Sequence, residues 1–288
     1  MQIIDGKLIS ETIRMELKTA AGIAKGRYGK DIGLAVILVG ENQASKVYVK
    51  NKISACQQLG IVSRFYQLSE MISQVELISL IDKLNVDDAI SGILVQLPLP
   101  KHILEASVID RISPDKDVDG FTLVQAGRLL KGEQSLLPCT PKGIIELLDR
   151  YNIEISGANV VILGRSNIVG KPLFHLFLQR NATVTICHTK TRNISDITLT
   201  ADILVSAVGR AHFVNARMVK DGAVVIDVGI NHENGKLIGD VEFDTVKEKC
   251  AYITPVPGGV GPMTIAMLMS NTIEAYRRRH ENECNLNS

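Results

Sequence analysis

The segment SKVYVKNK, Ser45 to Lys52, places a phenol (Tyr48) and an amine (Lys52) at a spacing that brings both to one face of a helix. With about 100° between successive residues, Ser45, Tyr48 and Lys52 fall within roughly 60° of one another. Val49, Cys56 and Leu59 share that sector with Lys52, whereas Lys46, Lys50 and Asn51 point away. A lysine drawn into an apolar sector binds its proton less tightly, and that suits an amine to proton transfer near neutral pH. The alternative is a lysine whose alkyl stem covers the core while its head stays in water.

A second chemical signal is GRSNIVGKP, Gly164 to Pro172, which follows the apolar run ANVVILG and so stands where a strand gives way to a helix. That is the context of a phosphate-binding turn. Ser166 occupies the place of the second glycine in G-x-G-x-x-G, and its hydroxyl can donate to a phosphate oxygen. About 20 residues on, where an acid would bind the ribose hydroxyl of NAD, the chain reads CHTKTR. His188, Thr189, Lys190 and Arg192 offer hydroxyl and positive charge there, which favours NADP, and Arg165 could add a second contact to its 2′-phosphate. An unliganded turn followed by a solvated basic turn is the plain alternative. The Tyr48/Lys52 pair precedes the glycine turn by more than a hundred residues, the reverse of the order in short-chain dehydrogenases.

Three further segments have restricted compositions. VQLPLP (95–100) ends a buried strand with Gln96 and then two prolines that stop it, which places a hydrogen-bonding side chain at a carboxyl strand end. DKDVDG (115–120) copies the start of an EF-hand loop, but Ala126 stands where the bidentate Glu belongs, which argues against calcium. Asp119 remains a candidate carboxylate for a ligand, or a solvated turn residue. TPVPGGVGPMT (254–264) combines stiff prolines with glycines that admit a ligand to the backbone, ahead of a helix that Thr264 could cap.

The elements that must position these residues alternate between β-branched runs and helical patterns, the signature of βαβ units in an α/β fold. Strands are expected at 34–40, 63–68 and 91–100 in the first half, and at 158–164, 182–188, 201–209 and 223–229 in the second. Helices are expected near 45–59, 74–84 and 171–180, with 113–143 as the connection between halves. A chain of 288 residues favours two domains, each with its own core. Lys plus Arg (32) nearly balance Asp plus Glu (31), leaving no field to hold nucleic acid or an acidic membrane. Cys56, Cys139, Cys187, Cys250 and Cys284 are scattered without zinc spacing and read as buried thiols of a reducing compartment. With no leader-like N-terminus and no spanning apolar run, the expected location is cytoplasmic.

Taken in order, ASKVYVKNK, VQLPLP, DKDVDGF, LPCTPKG, GRSNIVGKP, CHTKTRN and PVPGGVGPMT resemble the bifunctional methylenetetrahydrofolate dehydrogenase (NADP+)/methenyltetrahydrofolate cyclohydrolase family over essentially the whole chain. The resemblance implies two α/β lobes around a cleft. One is a folate-binding catalytic domain, 1–120, completed by the C-terminal helix 265–288; the other is a Rossmann-like NADP-binding domain, 140–264, through which a homodimer forms. It implies oxidation of 5,10-methylenetetrahydrofolate with NADP+, then hydrolysis to 10-formyltetrahydrofolate, without a metal. It assigns Lys52 as principal catalytic residue, Gln96 as orienting its amine, Tyr48 as stacking on the folate, and Asp119 as bonding the pterin. Val95, Leu97, Pro257, Gly258, Gly259, Pro262 and Thr264 complete the implied substrate site, and Gly164, Arg165, Ser166, Thr189 and Ile230 the implied cofactor site. The chain departs from the family pattern at Ser54, where a second lysine is frequent, at Gln125, where Asn is common, and at Thr189, where Ser is frequent.

Overall fold

A computed structural model describes residues 1–233 and 235–286. In chain order the elements are β1 (Gln2–Ile3), α1 (Gly6–Tyr28), β2 (Gly33–Val39), α2 (Gln43–Leu59), β3 (Val62–Leu68), α3 (Gln74–Val86), β4 (Gly92–Val95), α4 (Glu105–Ile109), α5 (Leu123–Lys131) and α6 (Cys139–Arg150). They continue as β5 (Asn159–Leu163), α7 (Gly170–Gln179), β6 (Thr183–Cys187), α8 (Ile194–Thr198), β7 (Ile203–Ser206), β8 (Val224–Asp227), β9 (Asn231–Glu233), β10 (Lys236–Ile238), α9 (Phe243–Val246), β11 (Tyr252–Ile253) and α10 (Val260–Leu286).

The chain divides into two compact units, one of residues 12–139 and 265–288, the other of residues 1–11 and 140–264. We refer to them as the Lys52 unit and the glycine-turn unit. Residues 1–11, grouped by sequence with the first domain, pack with the second half because β1 adds to β11 by parallel pairing. Residues 121–139, expected as connection, carry α5 and join the Lys52 unit.

The Lys52 unit holds a three-stranded parallel sheet in the order β3-β2-β4. Every residue of β2 is buried, as expected of a central parallel strand covered on both faces. Ile37 and Val39 pack with Ile93, Val95, Leu77 and Ile81 into one core, where each such side chain contributes roughly 1.5–3 kcal/mol of burial. The strand expected at 91–100 is shorter, because Pro98 and Pro100 have no N–H to continue the ladder.

The glycine-turn unit holds a six-stranded sheet ordered β1-β11-β8-β7-β5-β6, parallel throughout. The order runs outward from β5 in both directions, so β5 and β7 flank the topological switch point of a Rossmann-like sheet, where nucleotides bind at the carboxyl strand ends. β9 and β10 form a separate antiparallel pair.

Cys56, Cys139, Cys187 and Cys250 are free and buried, and burial pushes the Cys56 thiol up to about 12. The side chain of Cys284 lies outside the described residues. Among the described residues no helix is long and apolar enough to cross a membrane.

Candidate active site

In the Lys52 unit, α2 begins where Asn42 Oδ1 accepts from Ser45 N–H and ends at Gly60 in the left-handed conformation, as end signals of these types should. Its inward face is the sector drawn from sequence. Ser45, Val49, Cys56 and Leu59 are buried, and Lys52 is only 9% exposed among them. Tyr48 sits one turn before Lys52 and is 38% exposed, with burial of the rest raising its phenol above the usual value. Aromatic surface is thus left uncovered beside the buried amine.

The amine is held from the sheet. Gln96 follows β4 directly, and its backbone N–H still bonds Ile37 O at 2.8 Å, which fixes where the side chain starts. Lys52 Nζ donates to Gln96 Oε1 at 3.0 Å, and Gln96 Nε2 donates to Leu97 O at 2.8 Å. Both ends of the amide are therefore committed, so its oxygen faces the lysine. Val95 is buried and Leu97 half-buried on either side.

Asp119 belongs to the same unit through a turn that Asp117 organises. Asp117 is buried and accepts from Gly120 N–H at 2.9 Å and Thr122 N–H at 2.8 Å. Its carboxylate is spent on the backbone of this turn. Gly120 sits at φ 71°, a conformation that favours glycine. Burial pushes the half-buried Asp119 carboxyl up to about 6; the Lys52 charge draws it down, Asp117 raises it further, and the Cys139 thiol lowers it. Asp119 is thus largely ionised at neutral pH and close enough to feel Lys52.

Two residues supporting Asp119 were missed in the sequence. Cys139 Sγ donates to Val118 O at 3.4 Å and lies 3.8 Å from Asp119 Oδ1. Asn271, fully buried on α10, donates from Nδ2 to Val118 O and Leu137 O, each at 2.8 Å. Asn271 could have been found as a lone amide inside the apolar run MTIAMLMSNTI, since a buried amide must have partners.

In the glycine-turn unit, Gly164 ends β5 at φ 112°, and a Cβ there would meet Ala207 O at 2.3 Å. Glycine is required because β7's exit passes this close. Ser166 Oγ accepts from Val169 N–H at 3.1 Å and Gly170 N–H at 3.4 Å, so it satisfies the start of α7 and keeps its own hydrogen for a ligand. Arg165 and Ser166 are exposed. At the end of β6, Thr191 N–H bonds His188 O at 2.8 Å, a tight turn that turns Thr189 and Lys190 outward. Ile230, beyond β8, is 47% exposed. The residues fit NADP: a turn with close backbone approach, a free hydroxyl donor, and cationic side chains with no acid at the end of β6.

The 254–264 segment lies in the same unit. Pro257 is exposed, Gly258, Pro262 and Thr264 half-buried, and Gly259 buried, with Gly258 O accepting from Lys7 N–H at 2.9 Å. Thr264 does not cap α10, which already begins at Val260; its hydroxyl pairs instead with that of Thr140 at 3.0 Å.

Comparison with known proteins decides the lineage. Residues 4–119 match the family described as tetrahydrofolate dehydrogenase/cyclohydrolase, catalytic domain, and residues 138–280 match its NAD(P)-binding domain. The chain belongs to the tetrahydrofolate dehydrogenase/cyclohydrolase family. It is 56% identical over 277 residues to the bifunctional protein FolD of Bacillus mycoides, covering 96% of each chain. The structure of the bifunctional FolD enzyme of Campylobacter jejuni superposes with a TM-score of 0.95 at 49% identity, over 97% of this chain and 99% of that one. The Trypanosoma brucei dehydrogenase-cyclohydrolase, solved with NADP cofactor and inhibitor, gives a TM-score of 0.92 at 38% identity, over 96% of this chain and 97% of that one. Two departures from the family pattern, Ser54 and Thr189, are exposed. The third, Gln125, is buried and bridges Pro114 O (2.6 Å) to Leu136 N–H (3.1 Å), a span its side chain fills within this family member.

Proposed function

We propose that the chain oxidises 5,10-methylenetetrahydrofolate to 5,10-methenyltetrahydrofolate with NADP+ and hydrolyses that product to 10-formyltetrahydrofolate, as a bifunctional enzyme of one-carbon metabolism. The observation that carries this reading, in a chain of this family, is an amine buried on an apolar helix face and aimed by a glutamine whose own orientation is fixed.

NADP+, when bound, supplies the hydride acceptor for the methylene carbon that bridges two folate nitrogens. Gly164, Arg165, Ser166, Thr189 and Ile230 are the residues proposed to hold it, with the Arg165 charge and the Ser166 hydroxyl directed to phosphate. Oxidation leaves a methenyl cation, and the chain's work is then proton movement. Water adds to the methenyl carbon and loses one proton, giving a carbinol. The carbinol O–H then loses the second as its oxygen becomes the formyl C=O, while the carbon–nitrogen bond to the pterin-ring nitrogen breaks, that nitrogen gains a proton, and the formyl group stays on the other nitrogen. Net, one proton is released. Lys52 is proposed to take the proton from water and return one to the leaving nitrogen, the kind of step that positioned acid–base groups accelerate by about 10²–10⁴. Gln96 restricts the amine to one direction. Asp119, largely ionised, is suited to accept from the N–H groups of a pterin, and the exposed ring of Tyr48 to stack on it. Val95 and Leu97 would wall this site, and Pro257, Gly258, Gly259, Pro262 and Thr264 are proposed as further substrate-binding residues because their motif is the family's.

Cytoplasmic location is part of the same proposal, supported by four free buried cysteines. So is a homodimer through the NADP-binding units, for which the sheet-edge strand β6 offers an open ladder; sedimentation velocity showing only monomer would contradict it. Incubating the purified protein with NADP+ and methylenetetrahydrofolate tests the activity. Reduced nicotinamide should appear along with transient methenyl absorbance, and tight NADP binding with no turnover would overturn the reading.

A further inference from the structure

Among the described residues of the glycine-turn unit, the most heavily hydrogen-bonded carboxylate is one the reaction above does not use. Asp240 is fully buried. One oxygen, Oδ2, accepts from Val208 N–H at 2.8 Å, Gly209 N–H at 3.1 Å and Ser206 Oγ at 3.3 Å. The other, Oδ1, accepts from Arg210 N–H at 2.8 Å and Asn231 Nδ2 at 3.0 Å. Three successive amides converging on the two oxygens of one carboxylate form a nest of the kind that binds anions. Here the protein's own carboxylate fills it.

The place matters. Val208, Gly209 and Arg210 are the exit of β7, directly after Ala207, whose carbonyl makes the close approach to Gly164. Asn231 follows Ile230. Asp240 thus ties together the two chain segments that leave β7 and β8 at the carboxyl end of the sheet, on the far side of the switch point from the glycine turn. It is itself held by a second buried carboxylate, Asp227, which accepts from Asp240 N–H and Val241 N–H at 2.9 Å each. The packing leaves no slack, since a Cβ at Gly229 would lie 2.3 Å from Asp240 Oδ1.

We propose that Asp240 is a positioning residue for the dehydrogenase step: its carboxylate fixes the Val208–Arg210 and Ile230–Asn231 wall of the nucleotide crevice and occupies that wall's amide nest, so that NADP phosphate is directed to the Arg165–Gly170 turn. The proposal rests on the NADP-dependent reading of this unit. Asp240 touches no cofactor in it and acts through the backbone it holds.

Asp240→Asn tests it, because the amide keeps the shape but turns a donor toward amide N–H groups. The dehydrogenase should show an NADP KM raised by roughly tenfold or more, the loss of one to two buried hydrogen bonds. Hydrolysis of methenyltetrahydrofolate supplied directly should stay within about twofold of wild type, since that chemistry is assigned to the Lys52 unit. Asn231→Ala, which removes one donor and leaves the carboxylate in place, should raise the NADP KM by a smaller factor. An NADP KM within twofold of wild type in a folded Asp240→Asn would overturn the proposal while leaving the functional reading intact. Equal loss of both activities in Asp240→Asn, with Asn231→Ala unchanged, would also overturn it by showing a general structural role. Wild-type protein without NADP-dependent turnover would overturn the functional reading and this proposal together.

Discussion

Asp119→Asn should stabilise the protein while impairing its use of folate. Burial raises the Asp119 carboxyl from 3.8 to about 6 in the folded state. A raised folded-state value means the folded protein binds this proton more tightly than the unfolded chain does. The carboxyl's contribution is therefore most favourable below about pH 4 and declines as pH rises through 6. Fully above 6 the deficit is about 1–3 kcal/mol, at 1.36 kcal/mol for each tenfold change in proton affinity and discounting for residual solvent access. Asparagine has the shape of the neutral acid and no such deficit. In urea denaturation, Asp119→Asn should exceed wild type by about 1–3 kcal/mol at pH 8, and the gap should shrink to about half at pH 5. The same variant would give up the charge-assisted bonds proposed to the pterin, so folate KM should rise roughly 10- to 100-fold. A variant no more stable than wild type at pH 8, or a gap that widens as pH falls, would refute the electrostatic account of this residue.

Arg165→Ala should raise the KM for NADP by roughly tenfold, as loss of one exposed phosphate contact implies, and leave the KM for NAD nearly unchanged; steady-state kinetics with both nucleotides would show it, and unaltered cofactor preference would count against the contact. Asn271→Ala removes the donor to Val118 O and Leu137 O from a fully buried position and should lower unfolding free energy by about 2–4 kcal/mol in urea. A loss under about 0.5 kcal/mol would mean that these carbonyls find other donors.

Much of this was legible because burial writes itself into periodicity. The apolar sector of α2 could be drawn on a wheel, and the runs that became β2, β5, β7 and β8 are short, β-branched and bounded by turns. The long α1 was not legible in the same way, having no acidic first turn and two internal glycines, Gly22 and Gly26, that weaken a helical pattern. In α5, the Thr122 cap and the left-handed Gly132 were readable end signals, masked by the turn residues around them. The chemistry of Lys52 could be suspected from its sector, but its aim could not, because Gln96 reaches it from a strand 44 residues away in sequence. Asp227, inside the strand expected at 223–229, and Asp240 were not singled out from the sequence. Only the fold brings the amides of β7's exit onto Asp240, and no local spacing records that convergence.

The central claim is that hydrolysis depends on the amine of Lys52 while nucleotide binding belongs to the other unit, and a Lys52→Met variant tests it most directly. Methionine keeps the stem's volume on the buried face of α2 and removes the proton carrier. Supplied with methenyltetrahydrofolate, the variant should lose hydrolysis by about 10²–10⁴-fold, while titration with NADP gives an affinity within about twofold of wild type. Hydrolysis at the wild-type rate in that variant would contradict the account.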